Sequence, residues 1–254
     1  QVIGLFDSLM RGYPIGSFLS WKIEQETVKE FRFYGFLKDY SEFNGRHNPT
    51  LDIAPGQAVT AMLDGQQRLT SLNIGLRGSY AYKLKYARTN NAASYPARKL
   101  YLNVLGEAEQ NEAGRRYDFR FLTVSQLAAA GSQESRYWFP VHRVYETDDL
   151  GDLWDLAGDA GLANDRSARS MLSLLWKAIH SSSGIHFYEE TDQDVERVLD
   201  IFIRVNSAGT VLSYSDLLLS IATAQWKERD ARNAIHGLVD ALNSTGAGFG
   251  FTQD

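Results

Sequence analysis

The stretch VTAMLDGQQRLTSLNIGLRG, residues 59–78, places a polar cluster between two apolar patterns. Residues 59–63 form a short apolar run typical of a buried strand, and from residue 69 onwards leucines recur at helical spacing. The cluster Asp-Gly-Gln-Gln-Arg therefore lies where a strand turns into a helix, which we predict over residues 66–77.

Two interpretations of this cluster remain open on sequence alone. In the structural one, Asp64 is the N-cap of the helix, Gln67 completes a capping box three residues later, and Gly65 relaxes the turn. This leaves Arg68 unexplained, because a cation in the first helical turn faces the positive end of the macrodipole at a cost of up to about 1 kcal/mol.

In the functional interpretation an anion offsets that cost. Free N–H groups at a helix N-terminus and the guanidinium group of Arg68 both favour a phosphate. Gln66 and Gln67 would then orient water or a sugar hydroxyl, and Asp64 would hold a metal ion or polarise that water. The pattern thus indicates a phosphate or nucleotide site that has no Walker lysine.

The composition sets broad limits on the class of protein. The chain has 254 residues, of which 44% are hydrophobic and 12% aromatic, as in a globular protein with a sizeable core. Its formal net charge of -5 argues against the broad basic face of a dedicated DNA-binding module, although it leaves room for a local basic groove. The absence of cysteine excludes disulfides and thiolate chemistry, so we expect a cytoplasmic location.

The hydrophobic pattern changes near residue 149. Before it we predict a helix over residues 2–11 and a mixed sheet with few helices, built from strands at 15–23, 59–63, 80–86, 99–104 and 116–122 and interrupted by an irregular loop or hairpin over 25–57. After it, helical periodicity dominates at 149–157, 165–182, 192–205, 213–228 and 230–243, with one strand at 185–189. We therefore predict two domains, residues 1–148 and 149–254.

A second polar loop, NSAGTVLS at residues 206–213, interrupts this helical part. Asn206 and Gly209 suit a helix exit, and Ser213 with Asp216 forms a capping box for the next helix. Arg204 is expected to pair with Asp200 on the preceding turn. The histidines show no spacing typical of a metal site; they are His47, His142, His180, His186 and His236.

Three motifs stand in the same order as in a known family. DGQQRLTSL at 64–72, preceded by GYPIGSFLSW at 12–21 and followed by IFIRVNSAGTVLSYSDLLLS at 201–220, resembles the N-terminal domain family of GmrSD-type modification-dependent restriction proteins. These domains are related to the ParB and sulfiredoxin superfamily. The resemblance implies an α+β fold with a mixed sheet and short helices, followed by a mainly α-helical C-terminal part.

The resemblance also implies a function in prokaryotic phage defence. It makes the DGQQR segment a site for binding and hydrolysing a nucleoside triphosphate with Mg²⁺, in which Asp64, Gln66, Gln67 and Arg68 are catalytic and Asp64 is the metal ligand. The nucleotide-binding residues that it implies are Gly65, Arg68, Thr70, Asn206, Ser207 and Gly209.

The expected partners follow from the same resemblance. They are the nucleotide, modified DNA and an HNH-type nuclease domain in cis or in trans, without a membrane; a homodimer is left open, and the chain is expected to be a fragment of a longer protein. The alternative is a ParB-like module that binds nucleotide or DNA without hydrolysis and switches an interface. A direct nuclease activity is disfavoured by the acidic charge and by the lack of a metal cluster.

Overall fold

The structure, a computed structural model, describes residues 1–109, 114–130, 136–181, 185–207 and 231–244. In these ranges the helices are α1 (Val2–Met10), α2 (Gln25–Val28), α3 (Gln66–Arg77), α4 (Val124–Ala130), α5 (Val141–Tyr145), α6 (Leu150–Asp159), α7 (Arg166–His180), α8 (Val195–Ser207) and α9 (Ala231–Ser244), with a 3₁₀ turn at Ala92–Ser94. The strands are β1 (Ser17–Ile23), β2 (Phe33–Tyr34), β3 (Asp39–Ser41), β4 (Thr50–Leu51), β5 (Val59–Asp64), β6 (Ser79–Ala81), β7 (Ala97–Glu107), β8 (Tyr117–Leu122), β9 (Trp138–Pro140) and β10 (His186–Glu190).

The largest sheet is mixed and has β7 at its centre. Its order is β3-β6-β7-β8, and β9 also pairs with β7. β3 runs parallel to β6, whereas β7 is antiparallel to β6, β8 and β9. A second sheet has the order β10-β1-β5, and β2 pairs with β4 in a small antiparallel ladder. Together with the helices, these mixed sheets confirm the predicted α+β class.

One face of the large sheet forms the core with several helices. Leu100, Leu102 and Val104 alternate along β7 and are at most 1% exposed. Helices α1, α3, α5 and α7 contribute to the same core. Within α7 the buried positions follow the helical repeat, because one stripe of the helix faces the sheet; they are Ala168, Met171, Leu172 and Leu175.

A buried carboxylate links α1 to the start of β8. Asp7 is 4% exposed, and its Oδ1 accepts hydrogen bonds from the backbone N–H groups of Arg116 and Tyr117, each at 2.9 Å. Arg11 donates to the other oxygen of Asp7 at 3.4 Å. The carboxylate thus accepts hydrogen bonds from two backbone N–H groups that receive no carbonyl acceptor from a neighbouring strand at this point.

Most of the predicted elements are confirmed, but two predicted segments differ from the structure, and α4, β9 and α5 were not predicted. The predicted strand at residues 80–86 ends at Ala81, because a turn from Leu84 to Ala87 follows in which Tyr86 has a φ of 65°. The predicted loop at 25–57 contains α2 and three short strands. The predicted helix at 213–228 lies outside the described residues.

The contacts divide the chain into two compact units, each built from discontinuous segments. The first comprises residues 1–20, 32–54 and 61–189. The second comprises residues 21–31, 55–60 and 190–254. The two-domain division at residue 148 that the sequence suggested stays a prediction.

Candidate functional site

The turn between β5 and α3 differs from the capping arrangement that the sequence suggested. β5 extends to Asp64, and the N-cap is Gly65, whose φ of 84° is left-handed. Since no side chain caps α3, the proposed capping box of Asp64 and Gln67 is wrong. The physical reason is that the left-handed residue lies between Asp64 and the helix, which leaves the carboxylate on the strand.

Only glycine fits at this turn. A Cβ atom on Gly65 would lie 2.4 Å from Cδ1 of Phe18, a buried side chain of β1. Left-handed backbone is also costly for residues that carry a Cβ. Gly65 therefore provides both the backbone conformation and the close approach of the turn to β1.

Arg68 is held by three groups of the protein itself. Its Nη1 donates to the backbone carbonyl of Ile15 at 2.7 Å, and its Nη2 donates to Oδ2 of Asp64 at 3.0 Å. The guanidinium carbon lies 4.7 Å from the centre of the Phe18 ring. The anion that offsets the macrodipole is thus present within the chain, in the form of Asp64.

The Pro-Ile-Gly segment at residues 14–16 therefore belongs to the same site as the DGQQR segment. Gly16 has a φ of 84°, and a Cβ atom there would lie 2.4 Å from Nη1 of Arg68. The absence of a side chain at Gly16 is what lets Arg68 reach the Ile15 carbonyl. Sequence reasoning missed this role, although the order of the two segments was a signal that they act together.

The two glutamines have different surroundings. Gln66 donates from Nε2 to the backbone carbonyl of Met62 at 2.8 Å, so one of its amide hydrogens is used within the turn. The side chain of Gln67 accepts a hydrogen bond from Nε2 of Gln1 at 3.0 Å. Both glutamines are exposed, and Thr70 is half-buried one turn further along α3.

The start of α3 lies beside α1. Nε2 of Gln1 donates to Oε1 of Gln67 at 3.0 Å, and Gly75 of α3 faces the ring of Phe6 on α1, so the two helices run in the same direction. Because α3 has no side-chain cap, its first-turn N–H groups and the positive end of its macrodipole are available at this point.

The fit of a metal ion at this site depends on Asp64. Among the described residues, no group of three or more His, Cys, Asp or Glu side chains could hold a metal ion. Asp64 is about one-third exposed, and Arg68 engages its Oδ2. Because Mg²⁺ commonly takes one or two carboxylates together with phosphate oxygens, Asp64 suits a metal that arrives with a nucleotide and not a metal held by protein alone.

The second predicted segment lies in the other unit. Asn206 and Ser207 are the last residues of α8, and Gly209 lies outside the described residues. Their predicted roles in nucleotide binding stay predictions. The ion pair predicted on the same helix is confirmed, with Nε of Arg204 2.9 Å from Oδ2 of Asp200.

His142 on α5 is the histidine with the most unusual environment that the structure shows. Its Nδ1 is buried and has no hydrogen-bond partner among the described residues. Burial lowers the pKa of His142, and the nearby positive charges of Lys99 and Arg143 lower this pKa further. The negative charge of Glu146 raises it, without reversing the direction of the shift. The neutral ring is thus the favoured state, which suits a packing role.

Comparison with known proteins gives the family of the chain. The described residues contain no helix with the length and hydropathy that a membrane span needs. A search among curated proteins finds no match. The model of the GmrSD restriction endonuclease N-terminal domain matches residues 1–223, a range that holds all three motifs. The chain therefore belongs to the family of GmrSD restriction endonuclease N-terminal domains, which indicates a restriction or phage-defence protein.

Proposed function

We propose that the chain binds a nucleoside triphosphate at the N-terminal end of α3 and hydrolyses it with Mg²⁺ to regulate a restriction system. The observation that carries the proposal is the uncapped start of α3, with Arg68 held in its first turn. Backbone N–H groups at such a position bind phosphate oxygens well, and the helix dipole favours negative charge there.

The side chains around this helix end have the complementary donors and acceptors. A guanidinium group has five N–H donors, and the contacts of Arg68 with Ile15 and Asp64 leave three for a ligand. Its position is fixed before the ligand arrives, which lowers the entropic cost of binding. Asp64 would be the carboxylate ligand of a Mg²⁺ ion bound with the phosphates, and the exposed amide of Gln67 would orient water.

Unfolding with and without ligand tests the binding step. A nucleotide at about 100 times its dissociation constant should add about 2.7 kcal/mol to the free energy of unfolding. Each nucleoside triphosphate would be added with Mg²⁺ to the wild-type chain, to Gln67→Ala and to Arg68→Ala. The ligand-induced shift of each variant is compared with its own ligand-free midpoint, because Arg68→Ala is itself expected to be less stable.

Asp64→Asn separates hydrolysis from binding. We expect this variant to keep a nucleotide-dependent shift and to lose phosphate release, while Asp159→Asn at the exposed end of α6 keeps both. A shift without phosphate release in the wild-type chain would instead identify a non-hydrolysing switch. No shift with any nucleotide would refute the site at α3.

A further inference from the structure

Helix α6 carries a row of exposed carboxylates, which we call the acidic ridge. It consists of Asp152, Asp155 and Asp159, whose spacing of i, i+3 and i+7 places them along one side of the helix, opposite the buried Leu153 and Ala157. None of the ion pairs within the described part of the chain includes these aspartates. Asp159 lies in the last turn, where a carboxylate faces the negative end of the macrodipole, so the stability of α6 does not explain its position.

Helix α7 carries the opposite charge on its exposed side. Its basic ridge consists of Arg166, Arg169 and Lys177, all exposed, and the helix contains no acidic residue. The nearest carboxylate in sequence is that of Asp165, whose Oδ1 accepts a hydrogen bond from the backbone N–H group of Ala168 at 2.9 Å as the helix cap. In the ranges that the structure describes, no ion pair joins this or another carboxylate to the basic ridge.

The two ridges lie on neighbouring helices of the same compact unit, with a cleft between them. The guanidinium carbon of Arg169 lies 5.0 Å from the centre of the Trp154 ring, and the two helices are joined by residues 160–165, so the chain reverses direction between them. The cleft has a volume of about 330 Å³, and its lining includes Trp154, Ser170 and Ser173. On α6 the side chain that faces α7 is thus an indole, while the aspartates point outward.

We propose that this face binds a second copy of the chain through a two-fold axis parallel to the two helices. A rotation of 180° about such an axis lays the acidic ridge of each copy on the basic ridge of the other, so every pairing occurs twice. A two-fold axis across the helices would instead place acidic ridge on acidic ridge and basic ridge on basic ridge, which is unfavourable. The charge pattern therefore selects one arrangement of the dimer.

The spacing of the charges along the helices fits this arrangement. The rotation leaves each residue at its own height along the axis, and Arg169 lies level with Trp154, next to Asp155. Asp159 lies four residues beyond Asp155, a rise of about 6 Å, and Arg166 lies three residues before Arg169, a rise of about 4.5 Å in the same direction. Asp155 therefore meets Arg169 of the other copy, and Asp159 meets Arg166, each to within about 3 Å along the axis.

The occupant is a second copy because the face carries both signs of charge in the order that its own rotated copy complements. A partner of a single charge sign would be repelled by one of the two ridges. The face measures about 20 Å by about 15 Å, so the dimer buries less than the roughly 1,600 Å² of a standard interface and belongs to the weak, transient class. Since the paired groups are exposed, salt should weaken the dimer.

Sedimentation velocity of the wild-type chain without nucleotide, over a series of protein and salt concentrations, tests the proposal. We expect a monomer–dimer equilibrium in which the dimer fraction falls as salt rises. Reversal of one ridge, by Arg166→Glu/Arg169→Glu or by Asp155→Lys/Asp159→Lys, should weaken the dimer at least about tenfold, because each substitution acts at two symmetry-related contacts. All four substitutions in one chain should restore the dimer, since they exchange the two ridges and keep the wild-type net charge.

The matched control for net charge is Arg88→Glu/Arg115→Glu, at exposed positions of the same unit outside the face. We expect this control to dimerise like the wild-type chain, and a loss equal to that of Arg166→Glu/Arg169→Glu would overturn the proposal. A wild-type chain that stays monomeric at low salt would also overturn it, as would a dimer that neither reversal weakens.

The chain with all four substitutions decides the arrangement of the helices. A folded four-substitution chain that stays monomeric would overturn the pairing of α6 with α7. Thermal midpoints check that each variant is folded. If Arg166→Glu/Arg169→Glu loses stability, Arg166→Glu alone serves in its place, because it leaves the contact between Arg169 and Trp154 intact. This surface is separate from the α3 site, and the proposal does not rest on nucleotide binding.

Discussion

Replacing Arg68 by alanine distinguishes the structure from the argument based on the helix dipole alone. If the dipole were the only influence on ligand-free Arg68, its removal would be neutral or stabilising, because an unfavourable cation would be lost from the first turn of α3. In the structure this side chain instead joins α3 to β5 and to the segment before β1 through Asp64, Ile15 and Phe18. Arg68→Ala should therefore destabilise the ligand-free chain.

The expected size follows from the individual contacts. A hydrogen bond from a charged donor to the Ile15 carbonyl contributes about 1.5–3 kcal/mol. The ion pair with Asp64 is partly exposed on both sides and adds at most about 1 kcal/mol, and the contact with the Phe18 ring adds about 0.5–1 kcal/mol. Relief of the unfavourable dipole interaction returns about 0.3–1 kcal/mol. We expect a net loss of about 1–5 kcal/mol, centred on about 3 kcal/mol.

Urea unfolding, monitored by tryptophan fluorescence, measures this loss. The slope of the free energy of unfolding against urea concentration should be equal in the variant and the wild-type chain, which shows that both expose the same surface on unfolding. The matched control is Arg77→Ala in the last turn of the same helix, where a cation is favourable and its loss should cost only about 0.3–1 kcal/mol. An Arg68→Ala chain that is as stable as wild type, or more stable, would refute the reasoning. So would equal losses in the two variants.

Three further predictions concern other parts of the same unit. Gly65→Ala should cost about 2–5 kcal/mol, because it combines left-handed strain with a clash against Phe18; thermal unfolding that stays unchanged would contradict the geometry of the turn. Asp7→Ala should cost about 3 kcal/mol in urea unfolding, since it leaves two backbone N–H groups without an acceptor, and Asp7→Asn should restore part of the loss through its amide oxygen. The pKa of His142 in the folded chain is lower than in the unfolded chain, where it is about 6.5. When the pH falls below about 6.5, the unfolded chain therefore binds a proton at His142 more readily than the folded chain does. Stability should therefore fall between about pH 7 and about pH 5 by more in the wild-type chain than in His142→Gln, and equal falls in the two proteins would contradict the prediction.

The fold was predictable where the hydrophobic pattern was regular. The α3 helix is found over the predicted range, and the periodic segment that became α7 differs from its prediction only at the ends. Short strands such as β3 and β4 were not predicted, because two or three residues carry no period and depend on pairing with strands that lie far away in sequence.

The candidate site was predicted in its residues but not in its contacts. The sequence showed that Arg68 needed an anion, yet it could not show that Asp64 lies on the strand, since the capping preferences favour Asp64 over the observed N-cap, Gly65. The contribution of the Ile15 carbonyl could not be predicted from the sequence for a different reason. It is a backbone atom 53 residues away from Arg68, and no side-chain pattern marks it.

The close approach of Gly16 to Arg68 constrains how the sequence of this family can vary. Any side chain at position 16 would occupy the place of the guanidinium group, whose Nη1 lies 2.4 Å from where the Cβ would be. A homologue that carries a larger residue at that position should therefore also lack arginine at the position of Arg68. The two positions should change together across related sequences, so their covariation would record this contact even where no structure is known.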